Sequence, residues 1–344
     1  MNPIKIRNRL IGPDYPPYIV AEAAINHEGD IKIAKRMVYI AHALGADAIK
    51  FQIHVLENEM LKEAPQSENF AEPLYDTLKR TNLSLDEHRE LKQLCETIGI
   101  QYLCTPFSRD GVDLLEQIGV DAFKIGSGEL TNLPLQEHIA KKGKPMIIST
   151  GMCTVEEIRE TVELVRSIGT PFILTHCVSA YPTPYHRVNL KMIQRYQALF
   201  QVPVGISDHS EGIYTVLGAV ALGACFIEKH FTLNKLAKGP DHPVSIEPQD
   251  LLELVKGANA IYQALGETRD IFPEEQQIVA WARHSVVSEK HIPRGTTIAK
   301  DMIWVKRPGP QAGAVPAKSL REVIGRKAKV DIPAGIQIKW EYII

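Results

Sequence analysis

The feature that most restricts the fold is an alternation of short apolar, β-rich runs with longer segments of helical period, from Tyr18 to about Leu265. Such an alternation is typical of repeated βα units, in which each strand joins a parallel sheet and a helix covers it. Eight units can be distinguished. The predicted strands are 18–22, 48–52, 101–104, 122–125, 145–148, 172–176, 202–206 and 225–230.

The helical segments carry their own signals. In the first, Ile33, Met37, Ala41 and Leu44 form one apolar stripe. Two others begin with capping boxes, Ser84 with Glu87 and Thr154 with Glu157. Eight strands and eight helices predict a closed (β/α)8 TIM barrel over residues 1–265 rather than an open doubly wound sheet, whose glycine fingerprint is missing from the sequence.

Two segments depart from this pattern. The second connection, from about His54 to Ser84, is long and polar, as loops that cover a substrate often are. After the barrel, residues 266–282 are interpreted as a linker. Residues 283–344 contain an internal repeat, IPRGTTIAKDMI at 292–303 and IPAGIQIKWEYI at 332–343. Each Pro-x-Gly favours a tight turn between extended segments, so this tail is predicted to be a small, mostly β domain.

Composition narrows the possible partners. The formal net charge is −2 and the pI about 6.6, which provides no basic excess for a nucleic acid or an anionic membrane surface. The first residues lack the apolar core of a signal peptide and no long apolar run follows, so we expect a cytoplasmic protein. Five scattered cysteines without a C-x-x-C pair indicate free thiols.

Polar side chains cluster where the predicted strands end, which is the face that carries the active site in barrel enzymes. One such residue means little, but buried charges are costly unless they are paired or used, so a whole rim of them indicates a site. The residues are Glu22, Asn26, Lys50, Gln52, Thr105, Lys124, Ser127, Glu129, Ser149, Tyr181, Ser207, His209, Glu228 and His230.

Two of these residues suggest a metal. His209 and His230 close the seventh and eighth strands, and neighbouring strands lie about 4.8 Å apart, so both imidazoles can reach one ion. Two imidazoles, with water and carboxylate or substrate oxygens, suit a divalent ion such as Mn²⁺, Co²⁺ or Mg²⁺ with open coordination positions.

Lys124, in the run KIGSG, indicates an anion site. Gly126 and Gly128 let backbone N–H groups approach an anion, and hydroxyls from neighbouring strands can add donors. A barrel lysine could equally form a Schiff base with a carbonyl substrate or pair with a carboxylate. Four further carboxylates are candidates to contact a polyhydroxylated ligand or to orient a metal-bound water, namely Glu22, Glu129, Glu228 and Asp241.

Eight motifs follow one another along the chain: AEAAINHEGD (21–30), GADAIKFQ (45–52), FKIGSGEL (123–130), PMIISTGM (145–152), SAYPTP (179–184), GISDHS (205–210), EKHFTL (228–233) and KGPDH (238–242). Together they resemble those of a known family, the sialic acid synthases, also called N-acetylneuraminate synthases. The resemblance covers essentially the whole chain in order, and the tail resembles the family's antifreeze-like (SAF) domain. Glu28 replaces the second Asn of the usual N-H-N-G, and Ala24 stands where Gly is common.

The resemblance implies a metal-dependent transferase that joins phosphoenolpyruvate to an N-acetylated amino sugar and releases phosphate. It implies His209 and His230 as metal ligands, with Mn²⁺ the first expectation, and a domain-swapped homodimer whose tail domains cap the partner's barrel. The implied phosphoenolpyruvate contacts are Lys50, Thr105, Lys124, Ser127, Ser149, Ser179 and Ser207. The implied catalytic or sugar-side residues are Glu22, Lys50, Gln52, Glu129, Tyr181, Glu228 and Asp241, with Arg307 from the partner's tail.

Other interpretations remain open at the level of sequence. Lys124 could serve a metal-independent aldolase that uses pyruvate, and synthases of seven- or eight-carbon sugar acids share the enol-phosphate chemistry. A non-enzymatic carbohydrate- or ice-binding role leaves the charged rim unexplained. The acceptor could be N-acetylmannosamine, its 6-phosphate, or a 2,4-diacetamido-6-deoxy sugar that leads to legionaminic or pseudaminic acid, and N-acetylmannosamine is the first expectation.

Overall fold

The structure is a computed structural model that describes residues 1–63 and 72–344. The chain forms two compact units, Met1–Gly266 and Glu267–Ile344. The long second connection contains the helices Leu56–Glu59 and Leu74–Thr81, while its centre, which was predicted to cover a substrate, lies outside the described residues. None of the helices in the two described ranges has the length and apolar character needed to cross a membrane.

The first unit contains an N-terminal antiparallel hairpin, β1 (Ile4–Ile6) and β2 (Arg9–Ile11), followed by eight parallel strands. The eight strands are β3 (Tyr18–Ala24), β4 (Ala48–Ile53), β5 (Gln101–Pro106), β6 (Phe123–Ile125), β7 (Met146–Ser149), β8 (Phe172–Cys177), β9 (Val204–Asp208) and β10 (Phe226–His230). They are hydrogen-bonded in the order β5-β4-β3-β10-β9-β8-β7-β6, and β5 and β6 are adjacent, so the sheet curls into a nearly closed barrel. The predicted TIM barrel is confirmed.

Helices cover the outside of this sheet. Both predicted capping boxes are present, at Ser84 and Thr154. The first helix buries Met37 and Ala41 as expected, but Ile33 is exposed and Ala34 and Val38 complete the buried stripe instead. The helices are Ile31–Ala43, Leu56–Glu59, Leu74–Thr81, Leu85–Ile98, Arg109–Ile118, Leu133–Ala140, Val155–Ile168, Tyr185–Val188, Met192–Phe200, Tyr214–Ala221 and Pro248–Ala264, with 3-10 turns at Ser127–Glu129 and His242–Val244.

Side chains inside the barrel alternate with those that pack on the helices, because successive residues of a strand point to opposite faces. Near the strand starts, the inward side chains form an apolar cluster with the hairpin. This closed end contains Ile4, Ile6, Ile11, Tyr18, Val20, Ala48, Leu103, Ala122, Ile147, Ile173, Cys225 and Phe226. Two residues further along each strand, the inward positions become polar, and there they form the open end of the barrel interior.

The second unit has an apolar core of its own. β11 (Ser285–Ser288) and β12 (Ile303–Lys306) pair antiparallel, and most other extended contacts are single bridges, such as Ile292 with Ile332. The isoleucines at the positions that the two repeats share are all buried together, namely Ile292, Ile298, Ile303, Ile332, Ile338 and Ile343. Helices and 3-10 turns occupy Pro273–Glu275, Gln276–Ala282, Lys300–Met302, Ala317–Ser319, Leu320–Val323 and Trp340–Tyr342, so the segment interpreted as a linker is partly helical.

Candidate active site

A cavity of about 350 Å³ occupies the open end of the barrel. The structure places most of the predicted site residues on its wall, together with Phe107, Met152 and Cys177, which sequence reasoning missed. The predicted residues on the wall are Glu22, Lys50, Gln52, Thr105, Lys124, Ser127, Glu129, Ser149, Ser179, Tyr181, Ser207, His209, Glu228 and His230. Asp241 lies beside His230, and Arg307 belongs to the second unit.

Two buried lysines form the floor of the cavity. Lys50 contacts the Glu22 carboxylate and donates to the Thr105 hydroxyl at 3.1 Å. Its Nζ also lies 3.8 Å from Oε2 of Glu228. Lys124 donates to the Ser149 hydroxyl at 2.6 Å and lies 3.5 Å from Oε1 of Glu228. The floor therefore contains two ammonium groups bridged by one carboxylate, which suits an anion that can take hydrogen bonds from both lysines.

The titration of these groups reflects their burial. Burial raises the pKa of Glu22 to about 7, with Lys50 opposing the shift. Burial also acts to raise the pKa of Glu228, but Lys124 and Lys50 outweigh it and hold that pKa below its ordinary value. Two nearby carboxyls thus have pKa values displaced in opposite directions, an arrangement in which one can carry a proton at neutral pH while the other stays ionised.

Hydroxyl and thiol groups converge on the same cavity around Gly151. A Cβ atom at this position would lie 2.3 Å from Oγ of Ser179 and 2.7 Å from Oγ of Ser127. The Ser127 hydroxyl accepts a hydrogen bond from the Gly151 N–H at 3.0 Å. Glycine at 151 is therefore what allows two rim side chains to approach each other, whereas the sequence drew attention only to Gly126 and Gly128.

The two predicted metal ligands are neighbours. The ring centroids of His209 and His230 are 5.2 Å apart and both side chains are buried. Nδ1 of His209 hydrogen-bonds the Val178 carbonyl at 2.9 Å, which leaves Nε2 with its lone pair available. Burial, with His209 and nearby lysines contributing, lowers the pKa of His230 well below its ordinary value, so this imidazole is neutral. Burial acts to lower the pKa of His209, but Cys177 and the Val178 carbonyl outweigh it and raise that pKa. A neutral imidazole with a free lone pair, such as that of His230, is a suitable metal ligand.

The predicted metal site is incomplete on the protein side. No cluster of three or more His, Cys, Asp or Glu side chains that could hold an ion occurs within residues 1–63 and 72–344. Nδ1 of His230 is buried without a hydrogen-bond partner and lies 3.7 Å from Oδ2 of Asp241. Burial raises the pKa of Asp241 to about 6. The donor set fits a divalent ion held by two imidazoles, whose other positions are left to water, substrate or the Asp241 carboxylate.

A buried ion pair fixes the strand ends that carry these histidines. Lys229 and Asp208 are directly paired residues of β10 and β9, and Nζ lies 2.6 Å from Oδ2. Ser210 and Thr215 donate to the same oxygen at 2.8 Å. Because each member of the pair immediately precedes a histidine, the pair sets the register that brings the two imidazoles together.

The first loop of the rim is strained at the positions where the sequence departs from the family pattern. Ala24 has φ of 43° and Glu28 has φ of 52°, in the left-handed region that glycine and asparagine adopt more easily. A register shift between Glu22 and Ala24 accompanies this turn. Glu28 accepts a hydrogen bond from Arg80 at 2.6 Å, which connects the first loop to helix Leu74–Thr81.

Comparison with known proteins agrees with this geometry. Residues 37–270 match the NeuB family, and residues 283–343 match the SAF domain. This chain belongs to the NeuB family. The sequence-based resemblance and the predicted pairing of a barrel with an SAF domain are thereby confirmed.

Several relatives cover nearly the full chain. An N,N'-diacetyllegionaminic acid synthase of Legionella pneumophila is 38% identical over 95% of this chain and 94% of its own. The N-acetylneuraminate-9-phosphate synthase of Homo sapiens is 36% identical over 94% of this chain and 92% of its own. The crystal structure of an N-acetylneuraminic acid (sialic acid) synthetase from Leptospira borgpetersenii, in complex with citrate, superposes with a TM-score of 0.72 at 35% identity, over 81% of this chain and 95% of that one.

Proposed function

We propose that this NeuB-family chain condenses phosphoenolpyruvate with N-acetylmannosamine, or a closely related acetamido sugar, and water to give a nonulosonic acid and phosphate. The observation that carries the proposal is the juxtaposition, in one cavity, of two buried lysines with hydroxyl donors and two buried, adjacent imidazoles. The first group suits an enol phosphate, and the second would hold a divalent ion, which would supply Lewis acidity toward the carbonyl of the sugar. The names of the relatives support this reaction class.

The anionic substrate would be held by the floor of the cavity. Lys50 and Lys124 supply charge, and Thr105, Ser149 and Ser207 supply hydroxyls within the same network. These groups are fixed before the substrate arrives, because each is buried and already hydrogen-bonded. Preorganised donors of this kind lower the barrier by positioning the substrate and by stabilising the charge that develops.

The imidazoles of His209 and His230 would hold the metal, with Mn²⁺ the first expectation and Mg²⁺ or Co²⁺ possible. When bound, such an ion supplies Lewis acidity toward a carbonyl oxygen. In the reaction, C3 of the enol phosphate attacks the aldehyde carbon and forms the carbon–carbon bond. Water then adds to C2, and the resulting tetrahedral phosphate ester loses inorganic phosphate to give the keto acid.

A proton must reach the aldehyde oxygen and another must leave the attacking water. Glu22 is suited to this transfer, because its pKa of about 7 lets it exist in either form at neutral pH. It contacts Lys50 and pairs with His230 in the register of β3 and β10, so it lies between the floor and the metal side. Gln52, Glu129, Tyr181 and Asp241 surround the remaining space, where the sugar would lie.

The direct experiment measures phosphate release from phosphoenolpyruvate with N-acetylmannosamine, its 6-phosphate and a 2,4-diacetamido-6-deoxy sugar, each with Mn²⁺ and with a chelator. We expect metal-dependent release, fastest with N-acetylmannosamine. A fastest reaction with the diacetamido sugar would move the assignment to a legionaminic or pseudaminic acid synthase. Absence of release with every sugar would overturn the reaction class.

The aldolase alternative has one observation in its favour. Burial, outweighing the attraction of Glu228, lowers the pKa of Lys124, as a Schiff-base lysine requires. Borohydride treatment in the presence of pyruvate should leave the chain unmodified if Lys124 only binds an anion. A trapped adduct on Lys124, with turnover that survives a chelator, would support the aldolase.

We further propose that the active form is a cytoplasmic, domain-swapped homodimer in which Arg307 of one SAF domain contacts the sugar bound in the partner's barrel. Arg307→Ala should then raise KM for the sugar at least about tenfold, since a charged hydrogen bond is lost, with little change in KM for phosphoenolpyruvate. Unchanged sugar affinity would remove Arg307 from the site.

Mixing two variants at a sugar concentration well below KM tests the swap itself. Lys124→Met disables the barrel, and at this concentration Arg307→Ala lowers turnover at least about tenfold, so a mixed dimer keeps one fully active site. After complete exchange of subunits, half the dimers are mixed, and about one quarter of the wild-type activity should return. No recovery from dimers that have exchanged subunits, or a monomeric mass in solution, would contradict the proposed assembly.

A further inference from the structure

Three side chains in contact, Glu59, His54 and Gln52, form a row behind the cavity wall that ends at Gln52. Gln52 lines the cavity, and its Oε1 lies 3.3 Å from Nε2 of His54. On the opposite side of the ring, Nδ1 of His54 lies 2.9 Å and 3.0 Å from the two carboxylate oxygens of Glu59. The sequence reasoning assigned no role to His54 or Glu59, and neither the mechanism nor the metal site uses them.

The imidazole of His54 is held from several directions. Its side chain is only 3% exposed, and its ring stacks on Phe107 with centroids 4.5 Å apart and planes 12° from parallel. The side-chain amide of Asn82 makes two hydrogen bonds to the backbone of His54, accepting from the N–H at 3.2 Å and donating to the carbonyl at 2.8 Å. Asn82 ends helix Leu74–Thr81, so the far flank of the second connection holds the backbone of His54 while Glu59, on the near flank, contacts its ring.

The contacts among these three side chains determine where the Gln52 amide lies. A carboxylate only accepts, so Nδ1 of His54 carries a hydrogen that it donates to Glu59. Nε2, on the other side of the ring, faces the Gln52 amide at 3.3 Å, so the orientation of the ring fixes the position of that amide. Without the carboxylate, the ring loses the partner that sets its orientation, and the amide can turn over.

We propose that Glu59 and His54 are positioning residues that hold the side-chain amide of Gln52 in a fixed orientation toward the acceptor sugar. The inference rests on the proposed function, because it takes the cavity beside Gln52 as the sugar site. Glu59 also lines a second, polar cavity of about 670 Å³ with Asn58, Ser108 and Arg109. The row of three side chains therefore runs between the two cavities.

The test begins with Glu59→Leu, which removes the carboxylate but keeps a comparable volume. We expect KM for the sugar to rise about tenfold, as for the loss of one well-placed hydrogen bond, while KM for phosphoenolpyruvate stays within about twofold. Glu59→Gln keeps an acceptor for Nδ1 and should return KM for the sugar to within about threefold of wild type. Glu57→Leu, on the exposed side of the same short helix, is the matched control and should change neither KM.

A double-mutant cycle separates positioning from general damage. If Glu59 acts through Gln52, adding Glu59→Leu to a Gln52→Ala chain should change KM for the sugar by less than about twofold, since residues in one network are not additive. The inference would be overturned if Glu59→Leu changed KM for the sugar by the same factor in both backgrounds, or changed KM for phosphoenolpyruvate equally. It would also be overturned if Glu59→Gln did not restore KM for the sugar. Wild-type turnover in the same assay tests the proposed function separately, because an inactive wild type contradicts that function and an active one leaves only this inference at risk.

Discussion

The two ends of the barrel interior have opposite character although the same strands build both. At the closed end, β3 contributes Tyr18 and Val20 and β10 contributes Phe226, all buried among apolar neighbours. Two to four residues further along the same strands, the inward side chains are Glu22, Glu228 and His230, and they are equally buried. Burial at the closed end therefore stabilises the fold, whereas burial at the open end costs free energy that only pairing or ligand binding can offset.

The largest expected effect concerns the open end. Lys124→Met removes one of the two cations on the floor and should lower the rate of phosphate release by about a thousandfold or more, because an oriented charge on the phosphate is lost. Stability should change by less than about 1 kcal/mol, since Glu228 keeps Lys50 and Ser207 as partners and Glu22 can take up a proton. Steady-state kinetics and urea denaturation measure the two quantities.

A loss of several kcal/mol in that denaturation experiment would mean that the floor is a structural ion-pair network. The contrast between the two ends would then fail, because charged side chains at the open end would stabilise the fold as the apolar ones do.

The next largest effect concerns the closed end. Phe226 is fully buried and stacks on Tyr18 with ring centroids 5.7 Å apart. Phe226→Ala should therefore lower the free energy of unfolding by about 3–5 kcal/mol, as for other large-to-small changes in a core. The folded fraction should keep both KM values within about twofold of wild type. A selective rise in one KM would show that the two ends are coupled.

The smallest effect is on the pH dependence of stability. Burial, with the charge of Glu59 contributing, raises the pKa of Glu129 from 4.5 to about 7, although a backbone hydrogen bond and Lys124 oppose the shift. The folded state then binds this proton more tightly than the unfolded state, so the contribution of Glu129 is fully present below pH 4.5 and is lost as the pH rises toward 7. Glu129→Gln should make the free energy of unfolding fall less with rising pH, and should stabilise the protein at pH 8 when a chelator keeps it free of metal. Denaturation at several pH values measures this. A steeper decline in the variant would contradict the assigned shift.

Much of the fold followed from the sequence because the barrel signal is periodic. The eight barrel strands lie within two residues of their predicted limits, and their convergence on one rim follows from parallel topology alone. The N-terminal hairpin was missed because its strands have three residues each, too few to show a period. Ile33 was misplaced because the apolar stripe admits a shift by one residue to Ala34.

The site was less predictable where it depends on how close side chains come. Cys177 and Phe107 point into the cavity at the ends of β8 and β5, and counting every second residue along those strands could have found them. The role of Gly151 could not be inferred, since it arises from the separation of Ser127 and Ser179 in space. His54 and Glu59 carry no motif that marks them, because their importance lies in hydrogen bonds that only the folded chain forms.

The proposed reaction needs one divalent ion shared by the two imidazoles at the open end. Calorimetric titration of the metal-free protein with Mn²⁺, beside His230→Ala at the same concentration, measures whether they hold it. We expect one ion per chain for the wild type, and for His230→Ala no measurable binding, no phosphate release and an unchanged unfolding transition. Equal Mn²⁺ binding by both proteins, or full activity of the metal-free variant, would contradict this expectation.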